Sequence, residues 1–283
     1  MMKTLNHNIL QLAEKHADRL WTGRHVKDSI SKISIFNNFS DHSSLDIKEL
    51  GAEHVYAFMD HMKSLGRSDS TVNRYLAALS VIFDLATDLC IIKRSPKFKW
   101  LKEPKPRPRF FSQHEIEKLI KFFRHDQSTS FMADFVILGC QTGMRLGEIL
   151  SINNRNSKVI GKISDCGNYV ELSNTKNGDD RVVPLTDDAR EALARLDNRP
   201  FFVHTHRRFY DAWKLARGHI APGDKNFVFH VCRHTCATQL AMDHGVDAIT
   251  IGLVLGHKSL ATTKKYIKVK RDSLASVMKK LAA

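Results

Sequence analysis

A chain of 283 residues with 42% apolar content is long enough for two domains of ordinary size and can build a core for each. Its 44 Lys and Arg against 30 Asp and Glu give a net charge of +14 at pH 7, a surplus that points to a polyanionic partner. Five scattered cysteines (Cys90, Cys140, Cys166, Cys232, Cys236) exclude a disulfide framework, and no apolar run is long enough for a secretory signal or membrane span, so a cytoplasmic protein without membrane contact is expected.

Helical spacing begins at once: Ile9, Leu12, Ala13 and Leu20 share a face, as do Val26, Ile30, Ile33 and Phe36. AEHVYAFMDHMKSLG predicts a helix stopped at Gly66. SDSTVNRYLAALSVIFDLATD predicts one capped by Ser70, with Val72, Leu76, Leu79, Ile82 and Phe83 inside. Its other side offers Asn73 and Arg74 near Lys63 and Arg67, a basic helix face that suits DNA or, more plainly, solvent. In EPKPRPRF, three alternate prolines separated by Lys105 and Arg107 predict an extended, solvated linker. The expected division is a helical domain over 1–103, a linker over 104–109 and a second domain over 110–283.

After the linker, Ser112 and Glu115 form a capping-box pattern, and MADFVILGCQTGMRLGEILSI predicts two helices broken near Thr142 and Gly143. KVIGKISDCGNYVELSNTKNGDDRVVPL alternates as strands do and turns at Lys176-Asn177-Gly178. Helical pattern resumes after about Phe209. It ends in a short stripe of Leu274, Val277, Met278 and Leu281, which is too short to stand alone in water. The fold class expected is mostly α with one small antiparallel β-sheet.

In FHVCRHTCATQL, His230 and His234 are four apart, as are Cys232 and Cys236, but the two pairs point to opposite sides of a helix. One metal ion cannot collect them, so no metal is expected. Metal-free phosphate chemistry needs fixed cations, a proton donor and a nucleophile, and arginine's planar fork suits phosphate oxygens. QTGMRLGEIL offers Arg145 with Glu148 three residues on, HVCRHTCATQL offers His230 and Arg233, and LGHKSLATTKKYIKV offers His257 and Tyr266.

Together these segments resemble the tyrosine recombinases, or phage integrase family, and they stand in the family's order. TGMRLGEIL resembles the box of the first catalytic arginine, Arg145, and TKNGDDRVVPL the hairpin of the catalytic lysine, Lys176. HVCRHTCATQL resembles the His-x-x-Arg box with His230 and Arg233, and LGHKSLATTKKYIKV the last box, with His257 and the nucleophile Tyr266. The resemblance implies a SAM-like core-binding domain and an α+β catalytic domain that close as a C-shaped clamp on double-stranded DNA. It implies that Tyr266 attacks a phosphodiester to give a 3′-phosphotyrosine, without ATP, metal or other cofactor. Glu148 is expected to orient the cations, and Lys63, Arg67, Asn73, Arg74, Lys105 and Arg107 to touch DNA. A tetramer of this chain on two duplexes is expected, with the tail passed to a neighbour and accessory DNA-bending proteins as further partners. No arm-binding domain is expected ahead of the first helix. Two alternatives share the scaffold: a type IB topoisomerase-like activity and a catalytically silent DNA-binding regulator, the latter disfavoured by the complete residue set.

Overall fold

The computed structural model describes residues 7–103, 109–175, 180–201 and 206–264. The chain divides into two compact units, Met1–Pro106 and Arg107–Ala283, so the break falls inside the proline-rich stretch.

The first unit is helical: α1 (Ile9–Leu20), α2 (Arg24–Asn37), a single 3-10 turn (His42–Ser44), α3 (Ala52–Ser64) and α4 (Asp69–Asp88). Asn8 caps α1 by accepting from the Leu10 amide. Gly66, with φ +71°, takes the left-handed conformation that ends α3. The cap of α4 is Ser68, whose hydroxyl accepts from the Thr71 amide, and not Ser70 as the sequence suggested. Burying Ile33, Phe36, Phe58, Leu76, Ile82 and Phe83 together makes the core.

Near the start of the second unit, the guanidinium of Arg109 donates to Asp224 and Glu115 and lies 5.0 and 5.1 Å from the ring centres of Phe111 and Phe227. Then follow α5 (Gln113–His125), α6 (Phe131–Thr142) and the short α7 (Leu146–Ile149). The capping box of Ser112 and Glu115 is formed as expected. Strands β1 (Ile160–Ile163), β2 (Tyr169–Ser173) and β3 (Arg181–Pro184) pair antiparallel in the order β1-β2-β3. The expected turn at Lys176 to Gly178 lies outside the described residues. Helices α8 (Asp187–Arg195), α9 (His206–Ile220), α10 (His230–Met242), α11 (Ala248–Leu255) and α12 (Leu260–Lys264) complete the unit.

α6 is buried nearly all round, which explains its unbroken apolar sequence. Its one charge, Asp134, is 2% exposed and accepts from Arg124 on α5 and Arg195 on α8, so it locks three helices. Aromatic rings of Phe111, Phe209, Trp213, Phe227 and Phe229 fill the space beside α6, and Trp213 Nε1 donates to the Phe227 carbonyl. Gly161 of β1 bridges to Ile152 just past α7. A Cβ there would stand 2.7 Å from the Ser151 hydroxyl, so a glycine lets the sheet abut the end of α7. Among the described residues no helix is long and apolar enough to cross a membrane.

Candidate active site

Two glycines shape the site. Gly143 (φ +64°) ends α6 and Gly256 (φ +65°) ends α11, both in the left-handed conformation that residues with a side chain rarely adopt. The chain turns at once after each: two residues past Gly143 stands Arg145, and directly past Gly256 stands His257.

Arg233, in the first turns of α10, lies between these corners. Its side chain is buried, Nη1 donates to the Gly143 carbonyl at 2.7 Å, and Nη2 donates to the Leu255 carbonyl. The last carbonyls of a helix are unsatisfied and carry the negative end of its dipole, so a buried guanidinium is well placed between two such ends. One cation thus ties together the turns that present Arg145 and His257. His230, the first residue of α10, is exposed, and its ring meets that of His234 edge-on at 4.8 Å.

Arg145 sits at the start of α7 and is answered by Glu148. Glu148 Oε2 accepts from the Arg145 amide at 2.7 Å, and Oε1 accepts from Arg145 Nη1 at 2.8 Å. The same carboxylate takes a second guanidinium from the sheet: Arg181 Nη1 donates to Oε1 at 3.0 Å and Nη2 to Oε2 at 2.9 Å. Burial alone would push the Glu148 carboxyl up, but Arg181, the Arg145 amide and the Arg145 charge outweigh it and hold the group below its ordinary value. Glu148 is therefore a buried anion between two cations.

His257 Nδ1 lies 2.8 Å from the hydroxyl of Thr263, which is fully buried in α12. That bond fixes α12 on the turn after α11, three residues ahead of Tyr266. Arg145, Glu148, Arg233 and His257 are thus brought together. Lys176 and Tyr266 lie outside the described residues, as do Lys105 and Arg107.

Lys63, Arg67 and Arg74 are exposed on the helical unit, with Lys63 ion-paired to Asp69. Asn73 departs from its expected role as a DNA contact. It is 8% exposed, its amide nitrogen donates to the Leu101 carbonyl and to Glu103, and its oxygen accepts from the Leu101 amide. A residue three before Leu76 shares the buried face of α4, which is the physical reason. Arg181 and Thr263 are the residues that sequence reading missed. Val183 is buried, so strand alternation turns Arg181 inward as well.

Residues 109–272 match the phage integrase family. Over 240 residues the chain is 24% identical to tyrosine recombinase XerD of Oceanobacillus iheyensis, covering 78% of each. It is 23% identical to tyrosine recombinase XerA of Pyrococcus furiosus over 244 residues, 81% of this chain and 80% of the relative. Among solved structures, the Tn1549 transposon integrase in complex with a circular intermediate DNA aligns with a TM-score of 0.76 at 17% identity, over 97% of this chain and 99% of that one. A lambda integrase dimer bound to a core site aligns with a TM-score of 0.68 at 16% identity, over 91% and 94%.

Proposed function

This chain belongs to the phage integrase family, and from that premise we propose how its residues act as those of a site-specific tyrosine recombinase. Tyr266 is the nucleophile. A free tyrosine has a pKa of about 10, so roughly one in a thousand is ionised at pH 7 and a base must assist. His230 takes the phenolic proton as the Tyr266 oxygen attacks the phosphorus. Arg145 and Arg233 hold the non-bridging oxygens on which negative charge grows, and His257 donates to one of them. The P–O5′ bond breaks and Lys176 protonates the departing 5′-oxygen. The reverse reaction, by a 5′-hydroxyl from another strand, rejoins the DNA. One phosphoester replaces another, so no ATP is consumed.

The observation that carries this reading is Arg233 bridging the two left-handed corners, which sets the turns of Arg145 and His257 on either side of one buried cation. Preorganised donors of this kind are worth about 3 to 4 kcal/mol each where charge develops.

The helical unit, with Arg67 and Arg74 exposed, is proposed to hold core-site DNA together with Lys63, Lys105 and Arg107. The relatives of known structure that carry DNA in their complexes support double-stranded DNA as the partner. A tetramer on two duplexes, with the stripe of Leu274 to Leu281 docked on a neighbour, would restrain cutting by a lone protomer. A cytoplasmic site of action fits this chemistry.

The polarity of the covalent bond tests the mechanism. After cleavage of a nicked core-site duplex, the released end should accept labelled phosphate from a polynucleotide kinase, and the protein should remain on the 3′ end. Protein on the 5′ end with a free 3′-hydroxyl would refute it.

A further inference from the structure

Arg181 has no role in the reaction as written above, yet it is paired with the carboxylate that holds Arg145. Its side chain is 8% exposed and reaches three structural pieces at once. It is the first residue of β3 and stands five residues after Lys176 in the sequence. Its two terminal nitrogens clasp both oxygens of Glu148, the carboxylate that fixes Arg145. It also lies against the corner before His257: a methyl group on Gly256 would come 2.8 Å from Nη1 and 3.0 Å from Cδ of Arg181. A glycine at that corner therefore serves the left-handed turn and the close approach of the arginine together.

Stability alone is a weak reason for this residue. A buried ion pair seldom repays the loss of hydration of both partners, and the Arg181 Nε is buried with no hydrogen-bond partner among the described residues. Its geometry suits alignment: a planar fork on both carboxylate oxygens fixes orientation as well as charge, which a lysine cannot do.

We propose that Arg181 is a positioning residue of the cleavage reaction, locking Glu148 to strand β3 and the His257 corner so that Arg145 meets the phosphate in one fixed orientation. It acts through Glu148 and touches no DNA. The proposal rests on the catalytic reading above.

The test is a double-mutant cycle on the full-length chain, with adduct formation on a nicked suicide substrate timed under single-turnover conditions. Arg181→Met should keep its core-site affinity, and, although baring the buried Glu148 lowers its melting temperature, the rate per bound complex measured well below that temperature should fall about 10- to 100-fold, the worth of one or two charge-assisted hydrogen bonds. In a Glu148→Gln background the same change should alter the rate by no more than about threefold, because its target is already gone. Should Arg181→Met not fold, Arg181→Lys keeps the charge with a single-point donor, and the same non-additive pattern is expected with a smaller loss. An undiminished rate overturns the proposal. So does an equal loss in both backgrounds, or a loss of affinity and melting temperature with the rate per bound complex intact. A wild type that forms no adduct overturns the catalytic reading itself, and this inference with it.

Discussion

At the scale of single residues, a buried guanidinium needs acceptors, and Arg233 finds two where helices α6 and α11 end. Its motif was readable from the sequence, as were Arg145 and His257, because boxes of fixed spacing carry them. Arg181 was hidden by its surroundings: after Asp179 and Asp180 it looks like one more charge of a solvated turn. Thr263 was hidden because a buried hydroxyl is an ordinary way to satisfy a neighbour. Thr263→Val should keep the volume, remove the partner of His257 Nδ1 and slow adduct formation about tenfold, the worth of about 1.5 kcal/mol, with DNA affinity unchanged. Single-turnover cleavage beside a binding titration measures it. The cysteines behind the site allow an independent check. Burial pushes the Cys236 thiol up to about 12, and Cys232, buried beside Cys140, is also raised. A thiol is alkylated as thiolate, which a raised pKa makes scarce below the pKa itself. Mass spectrometry after brief native alkylation at about pH 8, near the ordinary thiol pKa, should find label on exposed Cys90 and Cys166 and none on Cys232 or Cys236. Label on Cys236 would contradict the packing of α10.

At the scale of elements, most of the pattern was legible because amphipathic spacing and glycine stops are local signals. The break of α6 at Gly143, the capping box of α5 and the small sheet all follow from them. Helix α8 was not read from the sequence, although Thr186 caps it, Asp187 and Asp188 open it and Ala189, Ala192 and Leu193 are buried along it. It begins three residues after Pro184 closes β3, so the strand pattern and the helix start abut without a turn signal between them. The shift of the α4 cap to Ser68 has a similar cause, since Ser68 and Ser70 both precede the apolar run and only geometry chooses. The glycines give a sharp contrast. An alanine at Gly143 would need a left-handed backbone and a Cβ 2.3 Å from Leu255 Cδ2. The two penalties, about 1 to 2 kcal/mol for the backbone and 1 to 3 for overpacking, predict a loss of about 2 to 5 kcal/mol. Gly147 in α7 has open space where a Cβ would go. Gly147→Ala should be neutral or stabilise by up to about 1 kcal/mol. Denaturant unfolding of the two variants side by side is the measurement, and equal effects would refute the corner's role.

At the scale of the whole molecule, the charge of +14 gave the partner class before any motif did. What it could not give was the division of labour, because a basic residue that grips the backbone and one that stabilises a transition state look alike in a sequence. Each phosphate contact adds about −0.9 to the slope of log K against log salt. Arg74→Ala, on the exposed side of α4, should therefore weaken binding and make that slope shallower by about one contact, leaving the cleavage rate of saturated complexes intact. Arg145→Ala should do the opposite, with affinity nearly kept and cleavage lost about 10²- to 10³-fold. The nucleophile stands at the centre of the whole reading, and covalent capture with EDTA present tests it most directly. On a nicked suicide substrate the wild type should form an adduct that survives boiling in detergent, while Tyr266→Phe binds the same DNA and forms none. An adduct that persists in Tyr266→Phe, or one that EDTA abolishes in the wild type, would contradict it.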